Sequence, residues 1–238
     1  GTRVGDTRHR SKTGRHFENV PIHAAPGLHE RAMELVRQHF PPHAKIADIG
    51  AGSGAFSMRL RAYGYDPLPI DLDITEIPKE LVALQANVCT DLASLIEPAS
   101  LDGVVALEVI EHLDCPASFF QEVKRLLKPG GGLLISTPNI LHPYSRLKFF
   151  VTGKYWLFDE RAYYSTGHTT PLPAWLLREH ALRAGFENIR IGYGGSLEMH
   201  GLRRFLTDLL SRIYRPQSAL DKVDDGANIF LFASRPAS

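Results

Sequence analysis

The sequence predicts an α/β domain in which a parallel sheet carries helices on both faces. Segments typical of strands and of helices alternate through residue 136, a pattern that places successive strands side by side with helices between them. In addition, the apolar segment Lys45–Ile49 runs directly into a glycine-rich turn. Such a turn is typical of the junction between a buried strand and the helix that follows it.

The composition is that of an ordinary globular protein of 238 residues. Hydrophobic residues make up 44% and charged residues 22%, which argues against disorder and against a coiled coil. The net charge of +1 gives no overall attraction to nucleic acid, so no nucleic-acid partner is expected. We expect neither a membrane span nor a secretory segment. Cys89 and Cys115 are too few for a disulfide framework, and a cytoplasmic protein with reduced thiols is expected.

The elements of the first half follow from periodicity and from helix-ending residues. Apolar side chains recur on one helical face in residues 28–40, and Pro41 ends that helix. Gly64 ends the helix after the glycine turn. The strands that follow are apolar runs, as expected of buried parallel strands. The predicted order is helix 28–40, strand 45–49, helix 56–63, and strands 66–72, 81–88 and 102–107.

The second half is predicted in the same way. Pro116 stands at the first position of a helix, where its missing N–H has no cost. The run from Lys128 to Gly132 is expected to separate that helix from the next strand, and Gly185 closes a later helix. The predicted order is helix 117–127, strand 133–136, an aromatic-rich irregular segment 138–170, helix 173–184, and strands 187–193 and 228–234.

Two further segments lie before or within this domain, which spans residues 28–238. Residues 1–27 are rich in basic side chains and poor in large apolar ones, which predicts a mobile arm. Residues 198–226 form an insertion, in which residues 202–214 show apolar positions at helical spacing beside several arginines. Such a helix suits packing on its own domain, a second subunit or an anionic membrane surface. A monomer or a homodimer, with peripheral membrane contact as an alternative, is therefore expected.

The glycine turn predicts a binding site for a nucleotide-like cofactor. Gly50, Gly52 and Gly54 alternate between a strand and a helix, where glycine lets the backbone approach a ligand closely. Asp71 follows Gly50 by 21 residues, a spacing that suits an acidic residue on a ribose hydroxyl. The turn alone fits both NAD and S-adenosylmethionine (SAM).

Five motifs in sequence order favour SAM. They are residues 48–54 (DIGAGSG), 69–72 (PIDL), 102–113 (DGVVALEVIEHL), 125–131 (RLLKPGG) and 135–139 (ISTPN). Together they resemble the class I SAM-dependent methyltransferases. Residues 167–171 (GHTTP), followed by 184–186 (AGF), are similar to the tail of the ubiquinone-biosynthesis-type branch. The resemblance runs from about Ala44 to Tyr193 and implies a Rossmann-like, seven-stranded, mostly parallel sheet whose last strand is antiparallel.

The resemblance also implies the cofactor site, at the carboxyl ends of the strands. The glycine loop would lie under the methionine part of SAM, and Asp71 would accept hydrogen bonds from the ribose diol, with Asp73 as the alternative. Where relatives often have an adenine-facing aspartate, this chain has Asn87, whose side-chain carbonyl can accept the same hydrogen bond; Asp91 is the other candidate. The implied cofactor-binding residues are Asp48, Gly50, Ala51, Gly52, Gly54, Asp71, Leu72, Asn87, Val88 and Glu108.

The segment Glu108-x-x-Glu111-His112 has two interpretations. In some relatives that methylate catechol-like phenols or RNA 3′ ends this pattern holds a divalent metal, and His168 could add a fourth ligand. In many others it binds no metal, and that interpretation is preferred here. Because an oxygen nucleophile benefits from losing its proton as it attacks, His112 and His168 are the catalytic candidates, with His142 third.

The predicted function is transfer of a methyl group from SAM to an acceptor, which leaves S-adenosylhomocysteine. The acceptor is expected to be a hydroxyl oxygen of a small molecule, a sugar or a lipid-linked intermediate. The aromatic-rich residues 139–170 are expected to form the cap of its pocket. The alternatives are an NAD-binding oxidoreductase on the same kind of sheet and a SAM-binding scaffold without turnover.

Overall fold

A seven-stranded sheet organises the described part of the chain, which in the computed structural model comprises residues 16–197, 199, 201, 204–207, 209 and 226–237. The strands are β1 (His16–Phe17), β2 (Val20–Pro21), β3 (Lys45–Ile49), β4 (Asp66–Asp71), β5 (Leu84–Gln85), β6 (Leu101–Leu107), β7 (Leu127–Pro138), β8 (Glu187–Gly194) and β9 (Asn228–Ser234). The helices are α1 (Leu28–His39), α2 (Ala55–Ala62), α3 (Leu92–Leu95), α4 (Pro116–Leu126), α5 (Pro143–Thr152), α6 (Glu160–Thr166) and α7 (Ala174–Arg183).

The strand order in the sheet is β5-β4-β3-β6-β7-β9-β8. Strand β9 is antiparallel to both of its neighbours, whereas β3 to β7 pair in parallel. This confirms the predicted fold class, including the antiparallel last strand. The chain runs outward from β3 to β5 and then places β6 on the other side of β3. The carboxyl ends of β3 and β6 therefore flank a topological switch point, where open α/β sheets bind their ligands.

Two apolar cores cover the two faces of the sheet. Successive side chains of a strand point to opposite faces, so Ile46 joins the core beneath α1 and α2, while Ala47 joins the core beneath α4 and α7. Strand β6 alternates in the same way, with Val104 and Val105 in different cores. Each large side chain that is fully buried stabilises the fold by about 1.5–3 kcal/mol. Both faces are thus covered by helices, as the sequence predicts.

The run from Lys128 to Gly132, predicted to separate a helix from the next strand, is instead part of β7. Leu127 pairs with Leu101, and the β6–β7 ladder resumes at Gly103 and Gly132 after a register shift. Gly130 adopts a φ of 79°, which a residue with a side chain rarely does, and its N–H lies 3.1 Å from the carbonyl of Arg235. The glycines therefore bend the strand and keep it paired.

The end of the predicted basic arm is structured. Residues 16–21 form the hairpin β1–β2, and the buried Phe17 packs with residues of α2. The Arg59 guanidinium lies 4.6 Å from the centre of the Phe17 ring, a cation–π contact. The Ser53 hydroxyl, in the glycine loop, donates a hydrogen bond to the carbonyl of Pro21 at 2.5 Å. This hairpin is therefore tied to the loop that the sequence assigns to the cofactor.

The predicted cap differs from the expected irregular segment because it contains α5 and α6. His142 caps α5, since its Nδ1 accepts a hydrogen bond from the Tyr144 N–H, and Asp159 caps α6. An ion pair of 2.7 Å between Lys148 and Asp159 joins the two helices. Most of the helix predicted over residues 202–214 lies outside the described residues; residues 204–207 and 209 are helical. No helix in the described ranges is long and apolar enough to cross a membrane.

Candidate functional site

The glycine loop leaves β3 at the switch point and turns sharply. Gly50, Gly52 and Gly54 all have positive φ angles, of 71°, 53° and 78°, so side chains at these positions would strain the backbone. A Cβ at Gly50 would also overlap the Val109 side chain, whereas a Cβ at Gly52 would meet no atom within 4 Å. The loop is thus closed on its inner side and open above Gly52, as binding of a cofactor against the backbone requires.

Asp71 ends β4 directly beside this loop. One carboxylate oxygen accepts a hydrogen bond from the Gly52 N–H at 2.7 Å, and the other from the Asp73 N–H at 3.2 Å. The next residue, Leu72, has 62% of its surface exposed, an apolar area that the adenosine part of SAM could cover. The structure therefore brings together the loop, the acidic residue and an apolar surface, a combination that fits SAM.

Asp48 lies below the loop, where it is buried and accepts a hydrogen bond from the Ser57 hydroxyl at 2.7 Å. Burial raises the pKa of the Asp48 carboxyl to about 7, and the charge of Asp71 adds to this rise. The sequence places Asp48 near the amino-acid end of SAM through water or backbone groups. In the structure its carboxyl joins β3 to α2 under the loop, so it supports the loop from below.

Asn87, Val88 and Asp91 lie in the turn between β5 and α3. The side-chain carbonyl of Asn87 accepts a hydrogen bond from the Cys89 N–H at 2.9 Å, and the Asp91 carboxylate accepts one from the Asn87 N–H at 2.8 Å. Hydrogen bonds from Asn87 and Thr90 lower the pKa of Asp91. The two adenine candidates are therefore parts of one turn, in which Asp91 holds the backbone of Asn87.

Glu108 follows β6 and lies at the switch point. Its φ of 57° is left-handed, which is uncommon for a residue with a side chain. One carboxylate oxygen accepts hydrogen bonds from the Ser136 hydroxyl at 3.0 Å and from the Asn228 amide at 2.8 Å. Burial raises the pKa of Glu108 to about 7, although these two hydrogen bonds lower it.

Glu111, His112 and His168 form a cluster beyond Glu108. Their potential ligand atoms all lie within 4.8 Å of one another. Glu111 is fully buried; one of its oxygens accepts a hydrogen bond from the Thr137 hydroxyl at 3.1 Å, and the other has no partner among the described residues. Burial raises the pKa of Glu111 well above its usual value, and the charge of Glu108 adds to the rise.

The two imidazoles are oriented in the same way. Nδ1 of His112 lies 3.1 Å from the Gly167 carbonyl, and Nδ1 of His168 lies 3.0 Å from the Leu157 carbonyl. A carbonyl only accepts hydrogen bonds, so both rings carry their proton on Nδ1, which leaves the lone pair on Nε2. Burial lowers the pKa of His168, and the nearby His112 lowers it further. His168 is therefore neutral at pH 7 and able to accept a proton.

Several polar residues of this site were not predicted from the sequence. Ser136, Thr137, Asn139 and Asn228 are all at most 1% exposed, and they lie where β7 ends and β9 begins. A polar run directly after an apolar strand was a usable signal for the first three. Asn228 had no comparable signal, because only the sheet pairing brings it next to Glu108.

Comparison with known proteins agrees with this geometry. Residues 23–191 match the family described as "Methyltransferase domain". The ubiquinone biosynthesis O-methyltransferases of Xylella fastidiosa (strain 9a5c) and Leptothrix cholodnii are 29% and 32% identical over 134 and 120 residues. These alignments cover 52% and 47% of this chain and 53% and 51% of the relatives. The chain thus spans about half the length of these relatives.

Solved structures show the same fold. A SAM-dependent methyltransferase from Archaeoglobus fulgidus superposes with a TM-score of 0.63 at 17% identity, covering 87% of this chain and 94% of the other. Phosphoethanolamine N-methyltransferase 2 of Haemonchus contortus, in complex with SAM, gives 0.57 at 18% identity over 87% and 52% of the two chains.

The family match covers most of the chain. The protein therefore belongs to the methyltransferase family, which confirms the prediction of a class I SAM-dependent methyltransferase with SAM as its cofactor. The NAD-linked alternative is accordingly disfavoured.

Proposed function

We propose that this protein transfers the methyl group of SAM to a hydroxyl oxygen of a small molecule, a sugar or a lipid-linked intermediate. The observation that carries the proposal is the pair of imidazoles at the carboxyl edge of the sheet, which is also the edge of the glycine loop. Both rings present a basic Nε2 in a partly buried site. The similarity to ubiquinone biosynthesis O-methyltransferases supports an oxygen acceptor.

The residues of the cofactor loop bind and orient SAM in this proposal. Asp71 accepts the ribose hydroxyls, Asn87 accepts the adenine amino group, and the open backbone at Gly52 lies against the methionine part. When bound, SAM supplies an activated methyl group on a positively charged sulfur. The protein then needs chiefly to align the acceptor oxygen with that methyl group, and such alignment can lower a barrier by about 7–11 kcal/mol.

His168 is the proposed general base, and His112 assists it. The neutral His168 ring takes the proton of the acceptor hydroxyl on Nε2 as the oxygen attacks. Its Nδ1–H is held by the Leu157 carbonyl at 3.0 Å, which keeps the ring in place. The His112 ring lies 4.8 Å away, edge to face, and limits the rotation of His168.

The alternative assistance is a divalent metal held by Glu111, His112 and His168, with Glu108 as a further ligand. The residues fit such an ion, because Glu111 has a buried oxygen without a partner in the described ranges and the ligand atoms lie within 4.8 Å of one another. A metal would lower the pKa of the acceptor hydroxyl as a Lewis acid. The metal-free assignment stays the first proposal, and the two Nδ1–carbonyl contacts leave Nε2 of each ring available to a proton or to a metal.

Treatment with a chelator distinguishes the metal-free reaction from the metal-assisted one. If the imidazoles act alone, activity after treatment with EDTA and gel filtration equals that of the untreated protein. Loss of activity that Mg²⁺ or Mn²⁺ restores would instead establish the metal-assisted reaction. Substitution His168→Ala serves as the matched control, because it is expected to abolish activity in either case.

The reaction itself is tested with isotopically labelled SAM and a panel of acceptors that contains catechols, sugars and primary amines. Label in the catechol or sugar fraction supports the proposal, and label confined to amines contradicts it. Binding of S-adenosylhomocysteine without transfer to any acceptor would favour the scaffold without turnover. Mass spectrometry of the product identifies the methylated atom.

The partners are also proposals. Two lysines of the cap are paired, Lys148 with Asp159 at 2.7 Å and Lys154 with Glu160 at 2.6 Å, which supports a small-molecule acceptor over nucleic acid. Phe150 and Tyr164 of the cap are 89% and 85% exposed, which suits peripheral membrane contact while a lipid-linked acceptor is bound. A cytoplasmic location and a monomeric or homodimeric state complete the proposal.

A further inference from the structure

Asn228 lies at the carboxyl edge of the sheet although it comes from the end of the chain. It opens β9, is 1% exposed, and donates a hydrogen bond from Nδ2 to Oε1 of Glu108 at 2.8 Å. The Ser136 hydroxyl donates to the same oxygen at 3.0 Å. Two neutral donors from neighbouring strands thus converge on one oxygen of the carboxyl group. Within the described residues, no hydrogen bond reaches the other oxygen, Oε2.

The backbone of Glu108 is held as firmly as its side chain. Its left-handed φ of 57° is a strained conformation for glutamate, and such strain persists only where the surroundings determine it. The Glu108 N–H donates to the Ser136 carbonyl at 3.1 Å and lies 3.2 Å from the Ser136 hydroxyl. Ser136 therefore contacts both the backbone and the carboxyl group of Glu108, whereas Asn228 contacts the carboxyl group.

The environment of Asn228 shows that stability alone does not explain this residue. Its Oδ1 is buried and finds no hydrogen-bond partner in the part of the chain that the structure describes, which is unfavourable for folding. A Cβ at Gly195 would come within 2.8 Å of Oδ1, so the glycine backbone packs directly against the amide. An aspartate here would place a second carboxylate directly against that of Glu108. The amide is thus the group that can donate to Glu108 without adding charge.

The position of Asn228 is set by contacts at both ends of the insertion. The Ala227 N–H lies 3.4 Å from the Gly195 carbonyl, and the Asn139 side chain donates to the Gly226 carbonyl at 3.0 Å. These contacts bring the start of β9 against the end of β7. Asn228 therefore reaches Glu108 in a fixed orientation, 120 residues away in sequence.

We propose that Asn228 is a positioning residue of the cofactor site, which holds Oε1 of Glu108 so that Oε2 faces the bound SAM. This rests on the assignment of Glu108 to the cofactor in the proposed function. SAM carries positive charge on its sulfonium and its amino group, and a carboxylate oxygen turned toward it favours binding. Asn228 acts only through Glu108 and touches neither the cofactor nor the acceptor.

The test is a double-mutant cycle measured by calorimetry with S-adenosylhomocysteine and SAM. Asn228→Ala should weaken the binding of SAM about tenfold, the scale of a hydrogen bond to a charged group, and that of S-adenosylhomocysteine less, because its sulfur carries no charge. In a Glu108→Gln background the same substitution should cost about twofold or less, because its target is already altered. Asn188→Ala is the matched control: its Nδ2 donates to the Ser234 hydroxyl at 2.9 Å, at the other end of β8 and β9, and affinity should not change.

An equal loss in both backgrounds would overturn the proposal, as would unchanged affinity in a folded Asn228→Ala protein. If Asn228→Ala does not fold, Ser136→Ala removes the second donor to the same oxygen and should show the same non-additivity with Glu108→Gln; additive losses there would also overturn it. These binding measurements are made in the absence of a methyl acceptor. Failure of every hydroxyl acceptor in the transfer assay would therefore contradict the proposed function and leave this inference standing.

Discussion

At the residue scale, the cofactor site depends on how two neighbouring carboxylates differ. Asp71 accepts the Gly52 N–H and faces the loop, whereas Asp73 accepts the Thr75 N–H at 2.9 Å and is exposed. Hydrogen bonds from Thr75 lower the pKa of Asp73. This difference supports Asp71 over Asp73 for the proposed contact with the ribose diol.

We expect Asp71→Ala to weaken binding of S-adenosylhomocysteine by about 1.5–3 kcal/mol, because a hydrogen bond to a charged group is lost. Asp73→Ala, the matched control, should change the affinity much less. Isothermal titration calorimetry on both variants measures this. A larger loss of affinity from Asp73→Ala than from Asp71→Ala would show that Asp73 binds the ribose.

The buried Asp48 predicts a pH dependence of stability. Its pKa is raised from 3.8 to about 7 by burial, so the folded state keeps a proton that the unfolded state releases. The stabilisation is complete below pH 3.8 and is lost as pH rises toward 7. Over that window the loss is at most about 4 kcal/mol. Asp48→Asn should flatten this part of the stability curve, as followed by urea unfolding between pH 5 and 8; an unchanged slope would contradict the assignment.

At the scale of elements, the hairpin β1–β2 is the least expected feature. Its residues lie in a segment whose basic composition predicts a mobile arm, yet Phe17 is 2% exposed against α2. A strand of two residues is too short to show a recognisable alternation of apolar and polar side chains in the sequence. The contacts that hold the hairpin, Arg59 with Phe17 and Ser53 with Pro21, join positions about 30 to 40 residues apart.

Removing the Phe17 ring should therefore affect both folding and the cofactor loop. Phe17→Ala is expected to lower the free energy of unfolding by about 3–5 kcal/mol, the cost of a buried aromatic cavity, and to weaken S-adenosylhomocysteine binding. Phe150→Ala, at a side chain that is 89% exposed, should stay within about 0.5 kcal/mol of the unmodified protein. Chemical denaturation of both proteins gives the comparison. Equal stability of the two variants would show that the hairpin contributes nothing to the core.

At the scale of the whole molecule, the order of strands and helices was predictable because burial on both faces leaves continuous apolar runs in β3, β6 and β7. The glycine loop and Asp71 were predictable because their chemistry is local in sequence. Helices α5 and α6 were not recognised although their caps, His142 and Asp159, are local in sequence, because few side chains of either helix are buried and neither shows a clear apolar face. The place of Asn228 in the site was not predictable either, because only the pairing of the strands brings it next to Glu108.

The thermal stability of the protein should also show which cofactor it binds. A ligand that binds only the folded state stabilises it by about 2.7 kcal/mol at one hundred times its dissociation constant. S-adenosylhomocysteine is therefore expected to raise the melting temperature with a logarithmic dependence on concentration, and NAD to leave it unchanged. Differential scanning fluorimetry with both ligands is sufficient. A rise with NAD alone would contradict the family's cofactor in this protein.

The two ends of the insertion meet at the sheet, and this has a consequence for how such enzymes diversify. Gly194 pairs with Asn228, and a Cβ at Gly226 would come within 2.6 Å of the Gly194 nitrogen, so the chain leaves and re-enters the sheet at one point. Because the two ends meet whatever lies between them, insertions and deletions in residues 196–225 need not disturb the strands. Evolution can therefore lengthen, shorten or exchange this segment while the strands that hold the glycine loop keep their places.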